Sequence, residues 1–336
     1  MFGFLNVNKP SGITSHKVIS ILRKITGIKQ IGHAGTLDPL ASGVLPVAIG
    51  KASKLIDYLP SDKSYCVGMY FGMISDTFDT EGVIEKRECE KITLDQIQNV
   101  LPQFRGETKQ IPPAFSAVHY NGKRLYELAR SGKIPDDIPA RDITIYKNEL
   151  VSFDYQKQIL KLDISCSKGT YIRTIVNDLG EVLGCGAVMF ELTRTDAASM
   201  KLDNAIELKE TLSKNDIVEN LVKPQDVLPL TQIEISPDDF KRVLNGNKFE
   251  NTYKVNGEIL LLKENSVVAL AQADDKFIQP KKVLLWKNYL YCYLFYWFCL
   301  QMHKIIMLFV LQKAFLSLKK KISLIKLLGL ISHLKK

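Results

Sequence analysis

The sequence predicts an α+β protein in which a larger mixed region precedes a small β-rich one, and three observations predict it. Apolar residues alternate with small or polar ones over 65–71 and 159–166, the period of half-buried strands. Other runs repeat at helical spacing: Val18, Leu22 and Ile25, then Ile172, Ile175, Val176 and Leu179. Beyond Asp226-Val227-Leu228-Pro229, short strand patterns take over. The expected organisation is therefore a domain over 1–228, a second over 229–286, and a tail over 287–336.

Each element has its own signal. Residues 3–7 are a short apolar run halted by Lys9-Pro10-Ser11-Gly12, a strand entering a turn. Thr14 or Ser15 then caps a helix that runs to about Ile25 and ends before Gly27. Thr93 opens a capped helix to about Leu101. The prolines at 112 and 113 keep 110–118 extended, Asn121-Gly122 marks a turn, and a short helix follows over 125–130. Lys168-Gly169 leads into a helix over 171–183. In the β-rich region a helical piece over 237–244 precedes two strands, 258–262 and 267–272, around a turn at 263–266.

The net charge of +9 invites a nucleic-acid reading, but its distribution does not support one. Nine lysines in 287–336, with no Arg, Asp or Glu, account for the whole excess, and residues 1–286 are net neutral. Any RNA surface on the body must be a local patch. None of the six cysteines stands in a Cys-x-x-Cys pair and the five histidines add no zinc-ligand spacing, so no metal site is expected. Scattered thiols and an N-terminus lacking a secretory pattern suit the cytoplasm. The tail's longest uncharged apolar run, 289–300, is shorter than the roughly 20 residues a spanning helix needs. We expect it to lie outside the fold, as an aberrant extension, and expect no membrane attachment.

The segment Gly32-His33-Ala34-Gly35-Thr36-Leu37-Asp38-Pro39-Leu40-Ala41-Ser42-Gly43-Val44-Leu45 reads as a loop that presents one carboxylate. Pro39 biases Asp38 away from helical geometry, and the glycines permit close backbone approach. By itself, Asp-Pro between glycines is ordinary turn chemistry.

Five further segments change that reading. They are Asn8-Lys9-Pro10-Ser11-Gly12, Lys63-Ser64-Tyr65, Pro112-Pro113-Ala114-Phe115-Ser116-Ala117-Val118, Gly122-Lys123-Arg124-Leu125-Tyr126-Glu127 and Cys166-Ser167-Lys168-Gly169-Thr170-Tyr171-Ile172-Arg173-Thr174. In this order, and with the Asp38 segment, they resemble the bacterial tRNA pseudouridine-55 synthase (TruB) family, closely over about 1–228 and more weakly to about 286. The resemblance implies a pseudouridine-synthase catalytic domain on a mixed, largely antiparallel sheet flanked by helices, plus a small PUA-like RNA-binding domain. It implies an isomerase that breaks the N1–C1′ bond of a uridine, turns the base and joins C5 to C1′, with no metal or cofactor. It names tRNA as the partner and no obligate protein partner.

The resemblance also assigns residues. Asp38 matches the catalytic aspartate, acting either as nucleophile or as the group that removes the 2′-proton to give a glycal. Arg173 matches the arginine that pairs with it, holding a carboxylate in bidentate fashion. Tyr65 matches the tyrosine that stacks on the target uracil and assists loss of the C5 proton. Tyr171 and Leu192 match pocket-lining positions, Lys9 a wall-shaping position, and His33 a histidine associated with the flipped-out RNA arm. One departure is Val188-Met189, where the family commonly has histidine and valine.

Without the resemblance, each residue has a plain alternative: Arg173 exposed early in a helix, Tyr65 a core aromatic, His33 solvated in a loop. Other functions compete as well. A tRNA-binding folding chaperone would use the same cleft without chemistry. A glycoside hydrolase would need a second carboxylate, and the Asp38 segment holds none.

Overall fold

A computed structural model describes residues 1–284, and the tail expected over 287–336 lies outside the described residues. Met1–Lys282 form one compact unit. Its first strand, β1 (Gly3–Lys9), leads through a turn into a helix at Ser15–Thr26. The Thr14 side chain accepts from the Lys17 amide, and Gly27 closes the helix at φ 74°, a left-handed position that suits glycine. Thr93 and Gln96 form a reciprocal capping box at the start of the helix Leu94–Val100.

Two short segments follow the first helix: β2 (Ile31–His33) and β3 (Ser42–Ile49), paired antiparallel. The stretch read as a single loop over 32–45 is therefore a loop only over 34–41, held at both ends by strand pairing. The sequence concealed β3 because all of it but Ser42 is buried, so it shows no alternation of apolar and polar residues.

Among the described residues the main sheet has 11 strands. Its central order is β1, β3, Ala187–Ala197, β4 (Lys63–Phe71), Ile159–Cys166, Arg141–Asp154 and Gly106–Gln110. Most neighbours are antiparallel, while Ala187–Ala197 runs parallel to β3. The sheet is thus the mixed, largely antiparallel one expected. Arg141–Asp154 and Ala187–Ala197 went unread in the sequence because each carries two register shifts that break its alternation.

One core packs the helix Ile172–Val182 against the sheet through Ile172, Ile175, Val176 and Leu179, facing Val67, Met69 and Leu162. A second packs the first helix through Val18, Ile19 and Leu22 onto Leu5, Val7 and Val47. Val188 and Met189, the departure from the family pattern, are fully buried. The C-terminal part has a five-stranded sheet, with Gly257–Lys263 and Ser266–Ala273 as its central hairpin and Pro237–Leu244 as its helix.

Candidate active site

Six stretches of chain meet at a cleft of about 520 Å³: the 34–41 loop, β4, residues 115–117, the helix Leu125–Arg130, residues 169–173 at the start of the helix Ile172–Val182, and the strand Ala187–Ala197. Asp38, Tyr65, Tyr171, Arg173 and Leu192 all line it. Five of the seven residues proposed from sequence therefore converge. Lys9 and His33 do not line the cleft.

Arg173 stands in the first turn of its helix, whose N-cap position Tyr171 occupies without a side-chain capping bond, and the Tyr171 backbone is clamped by one side chain. The Gln110 amide accepts from the Tyr171 N–H at 2.8 Å and donates to the Tyr171 carbonyl at 3.0 Å. The Arg173 guanidinium is buried, its side chain 6% exposed. Its Nη1 donates to the Thr77 carbonyl and its Nη2 to the Phe115 carbonyl, both at 3.1 Å. Nε is left for acids, 2.9 Å from Asp38 Oδ2 and 3.6 Å from Asp79 Oδ2. Nε–H meets neither oxygen with hydrogen-bond alignment. The bidentate pairing expected from sequence is corrected to a single-nitrogen ion pair, because the terminal nitrogens are occupied by backbone.

Asp79 was not foreseen. The run Ser75-Asp76-Thr77-Phe78-Asp79-Thr80 reads as turn chemistry, and its one cue was an acid beside a bulky residue. Phe78 takes φ 64°, a strained value for a large side chain. Backbone bonds to Met189, from the Thr80 amide at 3.0 Å and to the Phe78 carbonyl at 3.1 Å, hold the turn. Asp79 Oδ1 then accepts from Thr77 Oγ1 at 2.6 Å and from the Glu81 amide at 3.0 Å. Acids other than Asp38 therefore do lie near the site. Asp79 is 2% exposed behind Arg173 and cannot reach a substrate, so it gives no hydrolase pair. Burial, then the charges of Asp79 and Asp38, push the Glu81 carboxyl up.

Tyr65 is 7% exposed and forms part of the cleft wall. Burial raises its phenol further above its ordinary range, so the hydroxyl is protonated at neutral pH. As it stands the hydroxyl keeps its proton and faces the donating Arg194 guanidinium, and it is a base only if something takes that proton. Leu192 and Tyr171 supply apolar wall around it.

Lys9 ends β1 with no exposed surface. Its ammonium donates to the carbonyls of Ile13, Pro10 and Pro39 at 2.7, 3.0 and 3.3 Å, tying the opening turn to the residue after Asp38. Burial lowers its pKa to about 8 against the attraction of Asp38 and Glu81. Its place is behind the wall, outside the cleft lining. His33 lies in β2 rather than in a loop, with Nδ1 buried and unpartnered; burial lowers its pKa and keeps it neutral.

Comparison with known proteins places the chain in a family. Residues 23–172 match the family model described as "TruB family pseudouridylate synthase (N terminal domain)", and residues 173–228 that described as "tRNA pseudouridylate synthase B C-terminal domain". A tRNA pseudouridine synthase B of Syntrophomonas wolfei is 39% identical over 297 residues, covering 84% of this chain and 98% of the relative. One from Lactobacillus johnsonii is 41% identical over 295 residues, with the same coverage. The chain in a crystal structure of a Cbf5-Nop10-Gar1 complex superposes with a TM-score of 0.63 at 25% identity, covering 85% of this chain and 86% of that one. The fold and the family matches define a pseudouridylate synthase, an isomerase. The chain belongs to the TruB family.

Proposed function

We propose that this protein isomerises uridine 55, in the T-loop of tRNA, to pseudouridine, with Asp38 as the reacting carboxylate. The observation that carries this reading is the Asp38 to Arg173 ion pair at 2.9 Å, lying in one cleft with the Tyr65 ring. Asp38 keeps 39% of its side chain exposed toward the cleft, while its cation is buried. The arrangement sets a carboxylate against a buried cation in a cleft from which a docked base excludes water.

Asp38 then either adds to C1′ or removes the 2′-proton as the N1–C1′ bond breaks. Both routes need the same ionised oxygen beside the sugar. The Tyr65 ring gives the extruded uracil a face to stack on; after the base turns, C5 joins C1′ as Asp38 leaves C1′ or the 2′-proton returns, and the C5 proton is then lost as N1 is reprotonated. Tyr171 and Leu192 wall this movement, Lys9 braces the turn behind the wall through the Pro39 carbonyl, and His33 lies next to the RNA arm.

We assign catalysis to 1–228 and RNA contact through a PUA-like domain to 229–286, working on tRNA in the cytoplasm. Among the described residues no helix is long and apolar enough to cross a membrane. The tail over 287–336 lies outside this function, since 84% of the chain suffices to match 98% of the relatives' length. A chain ending at Trp286 should fold and keep its turnover, and lost activity on truncation would show that the tail belongs to the enzyme.

The direct test is to incubate purified protein with an unmodified tRNA transcript and map pseudouridine chemically. One new site is expected, in the T-loop. Product elsewhere, or none, rejects the reading.

A further inference from the structure

Arg194 is the largest fully buried side chain of the described residues, and nothing in the proposed mechanism uses it. Its place in the sheet is unusual. On Ala187–Ala197 it pairs on one side with Gly43 of β3 and on the other with Tyr65 of β4. One residue is thus the neighbour of both the strand that ends the Asp38 loop and the strand that carries the stacking tyrosine.

The side chain repeats that connection. Arg194 Nη2 donates to the Gly35 carbonyl at 2.9 Å and Nε to the Val44 carbonyl at 2.7 Å, so its guanidinium grips the chain on both sides of Asp38. Its Nη1 is buried without an aligned partner, and the guanidinium interacts with the Tyr65 phenol. Gly43 allows the approach: at φ 99°, a Cβ there would lie 2.2 Å from the Arg194 carbonyl oxygen.

No carboxylate lies within ion-pair distance of Arg194 among the described residues. A buried guanidinium matched by carbonyls and a phenol, with no carboxylate, is a poor device for stability, since an apolar side chain of similar volume avoids its desolvation. It is a good device for geometry, because a rigid planar fork fixes two carbonyls at set directions.

We infer that Arg194 is a positioning residue that locks the two ends of the Asp38 loop to the Tyr65 strand, fixing the separation of carboxylate and stacking ring. This rests on the roles proposed above for Asp38 and Tyr65. It requires that loosening the fork slow the chemical step while leaving tRNA binding intact.

The test uses full-length Arg194→Lys and Arg194→Met proteins. Single-turnover rates are measured with unmodified tRNA transcript at saturating enzyme, tRNA affinity by filter binding, and amide exchange across 34–41. Lysine keeps the charge and one bond but loses the fork. The expected result is a rate about 100-fold lower in both variants, the order of loss a displacement of about 1 Å can cause. Affinity should be unchanged, with faster exchange confined to 34–41. A near-wild-type rate overturns the inference. So does weakened binding with an unchanged saturated rate, which would make Arg194 an RNA-attracting charge, and so does a slower rate without faster loop exchange. If neither variant folds, Arg194 is a folding residue and the inference is wrong. Wild-type protein that forms no pseudouridine would instead reject the functional reading, while the exchange measurement still reports on the lock.

Discussion

Arg173 brings its Nε to 2.9 Å from Asp38 while its two terminal nitrogens are held by the Thr77 and Phe115 carbonyls. The guanidinium is thus fixed by backbone before any acid approaches. Asp38 can move toward a substrate without the cation following, and Asp79, 3.6 Å from the same nitrogen, keeps the buried charge accompanied. The two acids should therefore differ sharply in what they do for the fold.

Asp79→Ala removes the buried one of the two carboxylates at Arg173 and the acceptor that holds the 77–81 turn. It should destabilise the protein by about 3–5 kcal/mol, the cost of breaking a buried ion pair. Asp38→Ala, at a position 39% exposed, should cost much less. Denaturant titration of the two variants checks this, and equal losses would contradict the placement of Asp79 as the structural partner.

Tyr65 gives a second contrast. Tyr65→Phe keeps the ring face and should bind tRNA like the wild type. Tyr65→Leu removes it and should weaken binding by about 1–3 kcal/mol, the worth of one stacked base. Equilibrium binding to an unmodified transcript measures both. Equal affinity for wild type and Tyr65→Leu would argue that the ring is only core.

His33 predicts a pH effect with a definite sign. Its pKa is lowered on folding, so the native protein holds it neutral while the unfolded chain protonates it near the ordinary value. The stability it contributes is present above about pH 6.5 and is lost as pH falls through the lower folded value. Stability of the wild type should therefore fall faster on acidification than that of His33→Gln. Parallel pH profiles would show that His33 does not titrate with folding.

Much of this was legible in the sequence, and the residues show why. The strand Ile159–Cys166 and the helices Leu125–Arg130 and Pro237–Leu244 follow from local signals: alternation, spacing and capping residues. Asp38, Tyr65 and Arg173 were recoverable because each sits in a motif several residues long. Asp79 and Arg194 were not, because their roles depend on contacts with residues distant in sequence. Asp79 meets Arg173 across 94 positions of chain, and Arg194 reaches Gly35 across 159. The strand β3 was hidden by its own burial, and the single-nitrogen form of the Arg173 contact depends on carbonyls that no side-chain pattern reveals.

The central claim is that Asp38 performs chemistry rather than holding a turn. Its most direct measurement is pseudouridine formation by Asp38→Asn on an unmodified tRNA transcript, followed over many enzyme half-times alongside tRNA affinity and thermal unfolding. The account predicts a folded protein that binds tRNA as the wild type does and forms no pseudouridine. Turnover by the asparagine protein would contradict it.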